Sequence, residues 1–127
     1  MIDPVNSLWE YLSSAPGIPK GCVTGDLVGR EVGEVTVLLR QSGGHRLVRD
    51  RMDRADVEYD VYHLDRTEAL HLAYRVRALL LEQLPDQEAG GAYVLDVAEI
   101  SSPCYLPDPD SREHVYGGEL TIFYIAA

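Results

Sequence analysis

Three ionisable side chains lie close together in the middle of the sequence: His63, Asp65 and His71. Imidazole and carboxylate groups are common zinc ligands, but they must converge from a fixed geometry, as in H-E-x-x-H on one helix face. His63 is predicted to end a strand and His71 to lie inside a helix, so that spacing is missing. Asp65 is better explained as the residue that caps the helix. We therefore expect no metal site here.

Cys104 and His114 form a second pair that catalysis could use, a thiol and a base ten residues apart. They flank a proline-rich segment, and no third side chain that would orient the base can be identified. Cys22 and Cys104 could form one disulfide, but two idle thiols are expected from their spacing. The sequence also contains no G-x-S-x-G, P-loop or G-x-G-x-x-G motif. We expect neither enzymatic activity nor a cofactor.

A cluster of arginines follows in the segment HRLVRDRMDRAD, at Arg46, Arg49, Arg51 and Arg54. Asp50 and Asp53 alternate with them and nearly cancel their charge, which counts against a nucleic-acid patch. The pattern favours either ion pairs within a hairpin arm or contact with an acidic neighbour.

The net charge of −10 is concentrated in the C-terminal third of the chain. Residues 85–127 carry eight acids against Arg112 alone, whereas residues 1–84 carry 13 acids and 10 bases. Such a surface repels nucleic acid, although acidic surfaces also simply keep proteins soluble. Identical subunits could dock head to tail, with the arginines of one on the acidic surface of the next. The candidate interface residues are Arg46, Arg49, Arg51, Arg54, Asp108 and Asp110.

Hydrophobic period predicts the strands that position these residues. Residues 35–41 are rich in β-formers and residues 42–45 contain two glycines, which predicts a hairpin with its turn at 42–45. From Ala55 to Tyr62, apolar and acidic residues alternate, which predicts a strand with one apolar and one acidic face. The acids on that face are Asp56, Glu58 and Asp60.

Two helices are predicted from their start signals and apolar spacing. Asp3 and Pro4 begin the first. The second begins with a capping box from Asp65 to Glu68 and ends before Pro85. Its buried stripe is expected to contain Ala69, Leu72, Ala73, Val76, Leu79, Leu80 and Leu84.

Two further strands are predicted at residues 92–100 and 112–127, with Gly117 and Gly118 marking a bulge or bend in the second. The order of elements predicts an α+β fold, a mostly antiparallel twisted sheet of four to five strands with two helices packed on one face. At 127 residues, a single domain spanning 1–127 is expected. No apolar run approaches a membrane span and the N-terminus lacks signal-peptide features, so we expect no membrane association.

The central segment, VTVLLRQSGGHRLVRDRMDRADVEYDVYHLDRTEALHLAYRVRALL, resembles the tail terminator proteins of long-tailed bacteriophages, also called tail completion or head–tail joining proteins. Members show a strand, a Gly-Gly turn, a charged segment, a strand with a terminal aromatic, and a T-x-A-x-x-L-A-x-x-V-R-x-L helix. The matching residues are Gly43, Gly44, Asp53, Ala55, Val57, Tyr59, Tyr62, Thr67, Glu68, Ala69, Leu72, Ala73, Val76, Arg77 and Leu79. The N-terminal helix and the closing strand GGELTIFYI also fit.

The resemblance implies a structural virion protein without catalytic residues, assembled in the host cytoplasm and located at the head–tail junction. It would form a ring, expected to be hexameric. The ring would bind the tail tube protein at the end of the tube and so end tube growth. The ring would also offer a docking surface to a head-side connector or stopper protein. DNA would pass through the lumen without specific binding, and six copies of a −10 chain suit an acid-lined lumen. The candidate lumen acids are Asp56, Glu58 and Asp60 on the strand, with Asp108 and Asp110 as further candidates.

Two alternatives stay open. One is another neck component, such as a connector or stopper, or a tail assembly factor of similar size and architecture. The other belongs to a different class, a small α+β ligand-binding module or enzyme that uses His63, Asp65 or Cys104.

Overall fold

The computed structural model describes residues 2–48 and 52–127. Within these ranges the chain forms two helices and six strands. The helices are α1 (Pro4–Ser13) and α2 (Arg66–Ala78), and a π-helical turn at Leu79–Gln83 continues α2. The strands are β1 (Val23–Thr24), β2 (Thr36–Val48), β3 (Met52–His63), β4 (Gln87–Ala89), β5 (Ala92–Tyr105) and β6 (His114–Ala126).

The described strands form one mixed, curled sheet in the order β1-β2-β3-β6-β5-β4. β1 pairs with β2 in parallel, and each remaining pair is antiparallel. The predicted α+β class is confirmed. The predicted four to five strands fall short of the six found because β1 and β4 are two and three residues long. Strands this short leave no alternating pattern in a sequence.

The predicted start of α1 is confirmed. The side chain of Asp3 accepts a hydrogen bond from the Val5 N–H at 3.0 Å, and Pro4 occupies the first turn, where no N–H is needed. Leu8 and Leu12 lie one turn apart on the buried side of the helix.

The predicted N-cap of α2 and its apolar stripe are also confirmed. The predicted capping box is wrong, because the Asp65 N–H donates to the His63 Nδ1 at 2.9 Å and not to the Glu68 side chain. The Asp65 carboxylate accepts hydrogen bonds from the N–H groups of Thr67 at 2.9 Å and Glu68 at 3.2 Å. At the other end, the Leu84 N–H donates to the Leu79 carbonyl, five residues back, which is the π-helical pattern. The buried stripe consists of Ala69, Leu72, Ala73, Val76, Leu79, Leu80 and Leu84.

β2 and β3 pair antiparallel, but the hairpin turn predicted at residues 42–45 is wrong. β2 continues through this stretch to Val48, with a register shift there. Gly44 has a φ of +138°, and a Cβ atom on it would collide with the Arg54 carbonyl oxygen on β3. The two glycines therefore allow a bulge where the strands approach closely, and not a reversal of the chain. The pairing of these strands extends to Val48 and Met52.

Gly117 and Gly118, predicted to mark a bulge or bend, carry no bulge on β6 itself, because β6 pairs with β3 through both residues without a register shift. The register shift opposite them, between Ser101 and Cys104, lies on β5. These glycines make room for side chains of β3. A Cβ atom on Gly118 would collide with the phenol of Tyr59, and one on Gly117 with the carboxylate of Asp60. The bulges of the β5–β6 pair lie on β5, which continues to Tyr105, beyond the strand end predicted at residue 100.

The core lies between the helices and one face of the sheet. β3 alternates between buried and partly exposed residues, as predicted. Its buried residues, Ala55, Val57, Tyr59 and Val61, belong to one cluster with the buried residues of both helices. The Tyr11 hydroxyl of α1 also donates a hydrogen bond, at 3.5 Å, to the carbonyl of Leu79 in the π-helical turn that continues α2. None of the described helices is long and apolar enough to cross a membrane.

Candidate assembly surfaces

The described part of the arginine segment lies on β2 and β3. The described members are Arg46 and Arg54, while Arg49 and Arg51 lie outside the described residues. The Nε of Arg46 lies 3.6 Å from the Oδ1 of Asp53, its cross-strand neighbour. The Nε of Arg54 lies 3.2 Å from the Oδ1 of Asp56. Both described arginines therefore form ion pairs within the subunit, in agreement with one of the two sequence interpretations.

Asp108 and Asp110 lie in the loop between β5 and β6. The Asp108 Oδ1 accepts backbone hydrogen bonds from Asp110 at 2.9 Å and from Ser111 at 3.4 Å. These two bonds hold the pKa of the Asp108 carboxyl below its usual value. Asp108 thus stabilises a turn, whereas Asp110 is exposed to solvent.

The arginine segment and this acidic loop lie at opposite ends of the sheet. In the β3–β6 pair, Asp53 is opposite Tyr124 at one end and His63 is opposite His114 at the other. Ten residues of strand separate these pairs, a distance of about 33 Å. If the strands run along the axis of a ring of identically oriented subunits, every arginine segment lies at one end and every acidic loop at the other. Docking of one on the other stays a prediction, and it requires neighbouring subunits to be offset along their strands.

The three candidate lumen acids share the face of β3 that points away from the helices. Asp56 accepts a hydrogen bond from the Thr121 hydroxyl of β6, its cross-strand neighbour. This bond, together with Arg54, lowers the pKa of the Asp56 carboxyl. Asp56 is therefore held in its ionised form within the subunit.

Glu58 and Asp60, the next acids along this face, have different surroundings. Glu58 accepts a hydrogen bond from the Arg40 Nε of β2 at 3.2 Å. Asp60 packs against the bare backbone of Gly117, and its burial raises the pKa of its carboxyl. A lumen role for these acids stays a prediction.

Glu119 on β6 joins the same face and was not among the predicted candidates. It lies opposite Glu58 and accepts a hydrogen bond from the Ser42 hydroxyl at 2.5 Å. A signal for it existed, because Glu119 is two residues from Thr121 and so on the same side of a strand. We call Asp56, Glu58, Asp60 and Glu119 the acidic face. A shallow pocket of about 340 Å³ lies over its centre.

The two histidines of the central segment, His63 and His71, line one pocket of about 270 Å³ together with Glu68 and Arg75. Because the two histidines lie on different elements, a strand and a helix, the sequence did not predict that they line the same pocket. The His63 Nδ1 accepts the Asp65 N–H at 2.9 Å, so the neutral ring carries its proton on Nε2. His63 can bind a metal only by giving up this arrangement. The described residues contain no metal-binding group of three or more His, Cys, Asp or Glu side chains.

Cys104 and His114 are not arranged as a nucleophile and base. The exposed Cys104 thiol points to the Ser102 carbonyl at 3.4 Å, while His114 Nδ1 lies 2.7 Å from the Tyr105 hydroxyl. Cys22 is buried, and that burial raises the pKa of its thiol. Both cysteines are free, as expected.

The buried ion pair between Arg30 and Glu113 was not predicted from the sequence. Arg30 lies in the segment after β1, and Glu113 directly precedes β6. The Arg30 guanidinium donates to both Glu113 carboxylate oxygens and stacks over the ring of Tyr62, 4.7 Å from its centroid. The partners are 83 residues apart, and no local pattern links them.

The sequence matches no protein-family model, and no curated protein matches it as a relative. The resemblance to tail terminators therefore rests on the residues of the central segment.

Proposed function

We propose that this chain is a structural subunit of a ring, expected to be hexameric, at the head-proximal end of a bacteriophage tail. The ring ends growth of the tail tube by binding the tail tube protein. On its other side it offers a docking surface to a head-side connector or stopper protein. DNA passes through its lumen without specific binding.

The acidic face is the observation that carries this proposal. It places four carboxylates on the side of the sheet opposite the helices, accompanied by the guanidiniums of Arg40 and Arg54. A lumen lined by this face repels the phosphates of DNA. A surface of net negative charge displaces no counterions from DNA, so passing DNA is not retained. The chain charge of −10 acts in the same direction.

The ionisable side chains of the strand-to-helix joint support a structural role. Asp65 caps α2, and His63 accepts the Asp65 N–H. Arg75 donates to the Pro16 carbonyl through two nitrogens, at 3.1 and 2.9 Å, which fastens α2 to the segment after α1. These groups are engaged in holding the fold together.

Cryo-electron microscopy of the neck of virions of the phage that encodes this chain tests the proposal. The expected result is a ring of this fold on the last ring of the tail tube, with the acidic face toward the DNA. The same fold on the portal side would identify another neck component, a connector or stopper. A neck without this chain would favour a tail assembly factor or overturn the proposal.

The pocket of His63 and His71 favours a second candidate, a small ligand-binding module. A module of this kind would be stabilised by its ligand. Purified protein is titrated with zinc as a probe while its melting temperature is followed, with His71→Ala as the control. The ring proposal expects no change in melting temperature. A saturable rise that His71→Ala abolishes would favour the binding module.

A further inference from the structure

The sheet has a long free edge along β2. On the side away from β3, β1 covers only Val37 and Leu38. Among the described residues, no strand pairs with residues 39–48 on that side. Most of this stretch is exposed. We call residues 39–48 the free β2 edge, whose unpaired backbone groups can bind another strand.

A second free edge lies along β5 at the opposite side of the sheet. β4 pairs with β5 only as far as Val94. Within the described chain, nothing pairs with residues 95–105 on the side away from β6. We call residues 95–105 the free β5 edge. The two edges have nearly equal lengths, ten and eleven residues.

The directions of the strands allow these edges to join in a ring. Each step from β2 through β3 and β6 to β5 is antiparallel, so β2 and β5 run in opposite directions. A second copy in the same orientation brings its β5 beside the β2 of the first as an antiparallel neighbour. The sheet then continues from one subunit to the next without any subunit turning over.

Charge distinguishes this contact from pairing of identical edges. The free β2 edge carries Arg40 and Arg46 and no acid, while the free β5 edge carries Asp96 and Glu99 and no arginine or lysine. Glu99 already accepts two hydrogen bonds from Arg77 of its own subunit. Arg40 and Arg46 keep 62% and 58% of their side-chain surface exposed beside their partners within the subunit. Two copies joined through identical edges place like charges opposite each other, which is unfavourable.

Bulges confine regular pairing to a part of each edge. The register of β2 shifts between Gln41 and Gly43 and between Arg46 and Val48, and that of β5 shifts between Val94 and Asp96 and again after Glu99. Residues 43–46 and 96–99 are therefore the regular stretches. The exposed apolar residues near this part are Leu47 and Val48 on β2 and Leu95 on β5. An antiparallel contact between these regular stretches covers the three apolar residues and brings Val48 and Leu95, which lie just beyond the ends of the stretches, close together.

We propose that copies of this chain join edge to edge, with the free β2 edge of one subunit pairing antiparallel with the free β5 edge of the next. The inference rests on the proposed ring and identifies the surfaces that close it.

Disulfide cross-linking tests this contact. Val48→Cys and Leu95→Cys are introduced singly and together in a Cys104→Ser background, where the remaining Cys22 is buried. Within one subunit β3 and β6 separate the two positions by about 14 Å, beyond the roughly 7 Å that a disulfide spans. A bond between them therefore reports contact between subunits. Oxidised samples are compared on non-reducing gels, and light scattering gives the mass of each assembly.

The expected result is a ladder of linked chains for the double variant and no linked chains for either single variant. An equal mixture of the two single variants should give linked dimers only. Dimers formed by one single variant alone would show pairing of identical edges and overturn the inference. An assembled double variant that does not cross-link would overturn the inference and leave the ring standing. A protein that stays monomeric would overturn both.

Discussion

Arg30 forms a bidentate ion pair with Glu113, and the Glu113 side chain has no exposed surface. Arg30 also donates to the Thr36 hydroxyl and the Glu34 carbonyl, and the Gly33 N–H donates to Glu113 at 3.2 Å. The pair therefore fastens the segment after β1 to the loop before β6. Both segments lie at the end of the sheet where α2 begins.

Removing one partner of this pair should destabilise the protein strongly. Glu113→Ala leaves the Arg30 guanidinium, 11% exposed, without its counter-ion, and we expect a loss of about 3–5 kcal/mol in the free energy of unfolding. Urea denaturation measures this loss. Arg40→Ala, which removes the exposed ion pair with Glu58, is the matched control and should cost less than about 1 kcal/mol. Equal losses would contradict a special role for the buried pair.

The acid dependence of stability should also involve Glu113. The hydrogen bond from Arg30 lowers the pKa of the Glu113 carboxyl in the folded protein. The pair therefore contributes stability above the unfolded glutamate pKa of about 4.3, and this contribution disappears as pH falls through the lowered folded value. Asp60, with a pKa raised by burial, acts in the opposite direction.

Urea denaturation across pH 7 to roughly pH 3 tests this dependence. Glu113→Gln should be less stable than the wild type at neutral pH and should lose less stability on acidification. Parallel curves for the two proteins would exclude Glu113 as a source of acid sensitivity.

Position 118 should tolerate no residue larger than glycine, because it lies against Tyr59. Gly118→Ala drives a methyl group into the buried Tyr59 phenol, and we expect a loss of about 1–3 kcal/mol from overpacking. Gly25→Ala is the control, because its methyl group meets only Val5 Cγ1 at 3.6 Å, an ordinary contact. Thermal and urea unfolding should separate the two variants. If Gly118→Ala is as stable as Gly25→Ala, the contact with Tyr59 does not explain why position 118 requires glycine.

The helices were predictable because their signals are local. Asp3 with Pro4, and Asp65 with the apolar stripe behind it, act within a few residues, and both helices begin where expected. The alternation along β3 predicted its buried face for the same reason.

The glycine pairs were misinterpreted because their role depends on a neighbouring strand. Gly44 faces the Arg54 carbonyl, and Gly118 faces Tyr59, and neither contact leaves a trace in the local sequence. The acidic face was predicted in part from β3, but Glu119 joins it only through the pairing of β3 with β6. The Arg30–Glu113 pair depends on loops that meet only in the folded chain.

The acidic face should keep DNA from being retained. We expect the wild-type protein to show no binding of duplex DNA, and Glu58→Lys with Glu119→Lys to create salt-sensitive binding, because phosphate then meets cations. Fluorescence anisotropy at about 50 mM salt measures it. The control is the double variant Glu82→Lys with Glu88→Lys, which changes the net charge by the same amount at exposed positions outside the acidic face. Equal binding by both double variants would contradict a specific role for the acidic face.

The central claim is that this chain works as a ring, and light scattering coupled to size-exclusion chromatography tests it most directly. A ring should elute as an assembly of about six times the 14.1 kDa chain mass at micromolar concentration. A single species of 14.1 kDa at every concentration would contradict it.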